Sequence, residues 1–136
     1  MSTATQHVLL VEDDPLISAD VEHALNAAGY HVCGVATSEF EALRMGGEFH
    51  PDFAVLDVNL DPGDGRNVAR ELSRRYNTKI LMATAENPAT LNQIGATAVL
   101  PKPYNANLVP SALVAVDALS RDVDAGDLPD HMRKLY

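Results

Sequence analysis

The chain has 136 residues, with 10 Lys and Arg against 19 Asp and Glu, for a formal net charge of −9. That length suits one domain, large enough to bury about two thirds of its unfolded surface. The acidity argues against a broad nucleic-acid footprint and against an anionic membrane surface, since both need clustered basic side chains. Trp is absent and aromatics make up only 5%, so the core must rest on Val, Leu, Ile and Ala. Cys33 is the single cysteine and has no partner for an internal disulfide. No apolar run is long enough to span a bilayer, and the first seven residues, MSTATQH, lack the basic and apolar regions of a leader. The cytoplasm is the expected location.

In chain order, Val8-Leu9-Leu10-Val11 is a short continuous apolar run, as expected of a strand buried on both faces. It ends in Glu12-Asp13-Asp14-Pro15, where Asp14 reads as an N-cap and Pro15 as the opening turn of a helix. Ile17, Val21, Ala24, Leu25 and Ala28 follow at helical spacing, and Gly29 is a natural stop. Tyr30 to Ala36 reads as the second strand. Ser38 with Glu41 is a capping-box pattern that opens a helix expected to stop at Gly46-Gly47. The third strand runs from Phe53 to Asp57 and breaks into a Pro/Gly-rich loop, followed by a helix carrying Val68, Ala69 and Leu72. Lys79 to Ala83 is the fourth strand, Pro88 to Ile94 a short helix closed by Gly95, and Thr97 to Leu100 the fifth strand. The last helix runs from about Asn107 to Leu119, with Pro110 tolerable only in its first turn. Strict alternation of strands and helices implies a parallel sheet with helices on both faces. The domain is expected to occupy residues 1–120. Residues 121–136 read as an acidic, proline-broken tail, disordered or loosely docked and too short for an output domain, with Leu128, Met132 and Leu135 leaving room for a short packed turn.

In such sheets the functional groups gather beyond the carboxyl ends of the strands. Those ends carry Glu12, Asp13 and Asp14, then Asp57, Thr84 and Lys102. Carboxylates held together repel one another and raise one another's pKa unless a cation joins them. Mg²⁺, a hard ion that prefers carboxylate and water oxygens, meets that need. An acidic cluster, a divalent metal, a lysine and a hydroxyl together suit phosphoryl transfer, with Asp57 as a covalent acceptor. Asp14 reads as the helix cap rather than a ligand, and the five histidines share no ligand spacing.

The runs VLLVEDDP, FAVLDVNL, MATA and LPKPY, in this order, resemble the receiver domain of two-component response regulators from residue 7 to about 120. The resemblance implies a flavodoxin-like (βα)5 fold with strand order 2-1-3-4-5. It implies Asp57 as phosphoacceptor, and Glu12, Asp13, Asp57 and the backbone carbonyl of Asn59 as Mg²⁺ ligands. It further implies that Thr84 binds the phosphoryl group after switching and that Lys102 pairs with a phosphoryl oxygen. Pro103 follows Lys102 at the place where the family has a cis peptide bond. Val99 stands where receivers usually carry a switch aromatic, so coupling is expected through Tyr104 or the turn after Thr84. Pro101 is tolerable because the fifth strand is expected at the sheet edge. Asn59 and Glu86 flank the expected path of the hydrolytic water and imply a short-lived phosphoryl state.

These features imply a stand-alone response regulator, phosphorylated from a phosphohistidine of a sensor kinase or histidine phosphotransfer protein. It would signal to a downstream protein by surface switching, with a homodimer through the fourth helix, fifth strand and fifth helix as one outcome. It would catalyse only its own phosphorylation and dephosphorylation. Two alternatives stay open. One is a Mg²⁺-dependent phosphatase or phosphotransferase working through an aspartyl-phosphate, although Asn59 replaces its second aspartate. The other is a phosphorylation-independent adaptor with the same fold.

Overall fold

Parallel strands with apolar runs dominate the architecture, with a hydrophobic core on each face of the sheet. The computed structural model describes residues 5–91 and 93–135. Residues 1–4, Asn92 and Tyr136, which fall in the N-terminal stretch, the predicted fourth helix and the tail, lie outside the described residues. In chain order the elements are β1 (His7–Val11), α1 (Pro15–Ala27), β2 (His31–Ala36), α2 (Glu39–Phe49), β3 (Phe53–Leu56), α3 (Gly65–Tyr76), β4 (Lys79–Thr84), β5 (Ala98–Pro101), α4 (Val109–Ser120) and β6 (Arg133–Lys134). The sheet order is β2-β1-β3-β4-β5-β6, with β6 antiparallel to β5 and the other neighbours parallel.

Alternate strand residues feed two cores. Leu10, Val55, Leu81 and Leu100 pack with Val21, Leu25, Leu113 and Val116 on the α1 and α4 side. Leu9, Leu56, Ile80 and Met82 pack with Val68 and Leu72 on the α2 and α3 side. The helix starts behave largely as their sequences dictate. The Asp14 carboxylate accepts from the Leu16 and Ile17 amides at 2.9 and 3.3 Å, and the Ser38 hydroxyl accepts from the Glu41 amide at 3.2 Å. Glu41 does not close the capping box on Ser38. Its Oε1 accepts from the amide and hydroxyl of Thr37, at 2.9 and 2.8 Å.

Several expectations are corrected. The helix predicted over Pro88–Ile94 is only a 3₁₀ turn, Pro88–Leu91, so the described residues hold four α-helices rather than five. Leu91 and Ile94 are buried, but the segment is too short to sustain a nucleated helix. The helix predicted fifth is therefore α4, preceded by a 3₁₀ turn at Ala106–Leu108. α2 does not stop at its glycine pair but runs through it to Phe49, ending on His50 at φ 44°. The reason is packing: a Cβ on Gly46 would stand 2.2 Å from Leu72 Cδ2, so the glycine lets α2 approach α3.

The tail is not loose. It turns back along β5, where Val99 pairs with Arg133 and Ala98 with Lys134, and the Leu135 amide donates to the Thr97 carbonyl at 3.1 Å. Met132 is buried in the α1 and α4 core, while Leu135 packs against the opposite core. β5 is thus not the outermost strand, and Pro101 is accommodated because β6 pairs only with the residues before it.

Candidate functional site

Three candidate side chains are fixed by backbone hydrogen bonds that carry the parallel ladder one step past the strand ends. The Glu12 amide donates to Ala36 O at 3.0 Å, the Asp57 amide to Val11 O at 2.9 Å, and the Lys102 amide to Thr84 O at 2.9 Å. The parallel register of β2-β1-β3-β4-β5 therefore delivers these residues to one rim of the sheet.

There they meet. Lys102 Nζ donates to Glu12 Oε1 and to Asp57 Oδ2, each at 2.7 Å. The Thr84 hydroxyl, fully buried, donates to Asp57 Oδ1 at 2.8 Å. The Asn59 amide donates to the same oxygen at 3.1 Å. Glu12 Oε2 accepts from the Asp14 amide at 3.0 Å. Ligand oxygens of Glu12, Asp13 and Asp57 all lie within 4.8 Å of one another, with Asp13 exposed at the mouth.

The electrostatics follow from this crowding. Burial is the largest influence on Glu12 and raises its carboxyl above the ordinary value, despite the opposing Lys102 ammonium and the Asp14 amide. Burial works against the Lys102 charge as well, but the hydrogen bonds to Asp57 and Glu12 outweigh it and raise the ammonium above its ordinary value. Lys102 stays charged across the physiological range. Three carboxylates and one ammonium leave two negative charges at the rim, which a single divalent cation would neutralise. The donor set, all hard carboxylate oxygen with one member open to solvent, fits Mg²⁺.

The Thr84 hydroxyl engages the Asp57 carboxylate directly. Glu86, half-buried, donates its amide to Thr84 Oγ1 at 3.3 Å. Asn59 is exposed and forms an isolated antiparallel bridge with Asp64. Val99 is fully buried in the α2 and α3 side core, away from the site. Tyr104 lies on the other face near Ile17, Val21 and Ala83. Burial first, and then the Glu12 charge, push its hydroxyl up to about 12. The Lys102-Pro103 bond is cis, as is Asp61-Pro62.

Sequence reasoning missed Gly65. Its amide donates to Val58 O at 2.8 Å, and a Cβ there would stand 1.9 Å from the Asp57 carbonyl oxygen. The glycine lets the start of α3 close against the backbone of Asp57, and its position directly after Asp64, the N-cap of α3, was the available signal. Glu39 was also missed. Its carboxylate reaches across to the loop that follows Asp57.

The family model described as the response regulator receiver domain matches residues 8–114. The chain belongs to the response regulator receiver domain family. This receiver is 31% identical over 116 residues to the transcriptional regulatory protein PdtaR of Mycobacterium tuberculosis, a match covering 82% of this chain and 57% of that protein. It is 27% identical over 135 residues to the aerobic respiration control protein ArcA of Escherichia coli, covering 96% of this chain and 56% of ArcA. The receiver thus spans little more than half the length of these relatives. Among solved structures, the Vibrio cholerae chemotaxis protein CheY4 superposes with a TM-score of 0.75 at 32% identity, covering 83% of this chain and 99% of CheY4. The signal receiver domain of a modulated diguanylate cyclase from Desulfovibrio desulfuricans gives 0.75 at 28% identity, covering 88% and 99%. The fold is the flavodoxin-like receiver fold, with strand order 2-1-3-4-5 and an added antiparallel strand.

Proposed function

We propose that this receiver accepts a phosphoryl group on Asp57 from a phosphohistidine of a sensor kinase or phosphotransfer protein. The observation that carries the reading is the convergence on one carboxylate of Thr84, Asn59 and Lys102, beside the acidic pair Glu12 and Asp13.

An Asp57 oxygen attacks phosphorus, the P–N bond to the donor imidazole breaks, and the imidazole leaves with the bonding pair. Lys102 and the Thr84 hydroxyl hold the carboxylate oriented before attack, so little reorganisation is needed. Glu12, Asp13, Asp57 and the Asn59 carbonyl would hold Mg²⁺, which supplies neutralisation of charge on the transferring group. Afterwards the group on Asp57 carries close to two negative charges where the free carboxylate carried one. Lys102 and Thr84, which served the free carboxylate, then redistribute toward phosphoryl oxygens. That shift biases the loops after β3 and β4, and with them the face built from the Pro88–Leu91 turn, β5 and α4.

A downstream protein, or a second copy of the receiver, would read that face, where β6 pairs along the edge of β5. Tyr104, beside Glu12 and against the α1 side core, is the coupling residue in place of an aromatic at Val99. Asn59 and Glu86 favour a short-lived phosphoryl state. The protein acts in the cytoplasm and catalyses only its own phosphorylation and dephosphorylation. Among the described residues, no helix is long and apolar enough to cross a membrane.

Intact mass after incubation with a small acyl phosphate and Mg²⁺ tests this. A mass gain that Asp57→Asn abolishes is expected. Turnover of exogenous phosphoesters would indicate a phosphatase instead, and no modification under any condition would indicate an adaptor.

A further inference from the structure

The loop between Asp57 and α3 is held from outside by α2. Glu39, the first residue of that helix, grips it by both backbone and side chain. The Glu39 amide donates to Pro62 O at 3.2 Å, and its Oε1 accepts from the Asp64 amide at 2.9 Å and from Asn67 Nδ2 at 3.4 Å. Gly63, at φ 115°, lies so close that a Cβ on it would be 2.3 Å from Glu39 Cβ. Asp64 in turn bridges Asn59 in antiparallel fashion, and the Asn59 amide donates to Asp57 Oδ1 at 3.1 Å. A continuous chain of contacts thus runs from α2 to the accepting carboxylate.

We propose that Glu39 is a positioning residue for the acceptor site: through Asp64 and Asn59 it fixes the orientation of Asp57 and so the affinity of the acidic cup for Mg²⁺. This rests on the reading of the cup given above. The alternative is that Glu39 merely complements the positive end of the α2 dipole. The two roles depend on different properties of the side chain. A dipole role follows charge, whereas positioning follows reach and the presence of an acceptor oxygen. Glu39→Gln keeps the reach and the acceptor while losing the charge. Glu39→Asp keeps the charge and loses the reach.

The test is an NMR titration of the full chain with Mg²⁺, following the Asp13 and Asn59 amides, alongside hydrogen exchange at the Asp64 amide and a thermal melt. Glu39→Ala and Glu39→Asp should weaken Mg²⁺ binding about three- to tenfold and speed Asp64 exchange, with Glu39→Gln within about twofold of wild type. Should Glu39→Ala fold poorly, Glu39→Asp carries the comparison. Unchanged Mg²⁺ affinity in Glu39→Ala and Glu39→Asp would overturn the proposal while leaving the phosphoacceptor reading intact. Weakening by Glu39→Gln equal to that of Glu39→Ala would assign the effect to charge and equally overturn it. If the wild-type chain shows no Mg²⁺ titration that Asp13→Asn abolishes, the reading of the cup falls, and the proposal with it.

Discussion

Gly65→Ala is the sharpest probe of how the proposed acceptor site is built. The new methyl would lie 1.9 Å from the Asp57 carbonyl oxygen, 2.8 Å from its carbon and 3.0 Å from Val58 Cα. The shortest of these is more than about 1 Å inside contact distance, and the neighbours are all backbone atoms that cannot rotate away. Either the first turn of α3 or the end of β3 must retreat, which strains the Gly65 amide bond to Val58 O at 2.8 Å. Overpacking of this kind costs about 1–3 kcal/mol. For a chain of this length that corresponds to a melting midpoint lowered by roughly 3–15 °C. Because the displaced atoms belong to Asp57 itself, phosphoryl acceptance from a small acyl phosphate should slow as well. Gly46→Ala is the control. Its Cβ meets the flexible Leu72 Cδ2 at 2.2 Å, far from the rim, so stability should fall while acceptance is kept. A Gly65→Ala variant that melts and accepts phosphoryl like wild type would refute the close-approach argument.

Two further outcomes are expected. Burial raises the Glu12 carboxyl above its ordinary 4.5, so the folded state holds that proton more tightly than the unfolded chain. The Glu12 contribution is fully present below the unfolded pKa and is lost as pH rises through the raised folded value. In chelator, the melting temperature of wild type should therefore fall relative to Glu12→Gln across that interval, and parallel melting curves would contradict the burial argument. Met132→Ala removes a buried side chain from the docked tail. The tail can undock, so the global midpoint should move little, while hydrogen exchange of the Leu135 amide quickens about tenfold or more for a loss of about 2 kcal/mol. Unchanged exchange there would show that Met132 does not anchor β6.

Much of the fold was legible because its strands advertise themselves. Runs such as Val8–Val11 and Phe53–Leu56 are apolar at every position, which is what burial on both faces demands. The rim was legible for a related reason: once the order is parallel, the residue after each strand is delivered to the same edge, so Glu12, Asp57 and Lys102 needed no tertiary information. The misreadings share a different cause. Gly46 stops a helix by propensity but was placed by contact with Leu72, a distant residue. Pro88 to Ile94 carries helical spacing in a segment too short to nucleate. Gly65 and Glu39 act through backbone approach and loop clamping, and neither leaves a periodic mark in the sequence. The tail was polar enough to read as loose, yet Met132 and Leu135, three residues apart, straddle the end of the sheet and dock on opposite cores.

That straddling has a consequence for any other polypeptide. A terminal parallel strand normally presents unpaired amides and carbonyls onto which a foreign segment can build. Here the vacancy is filled from within: Lys134 and Arg133 lie opposite Ala98 and Val99. A tethered segment of this kind competes at an effective concentration on the order of millimolar. An incoming strand must therefore outbid a resident that never diffuses away, and it must do so on the strand whose far end leads into Lys102.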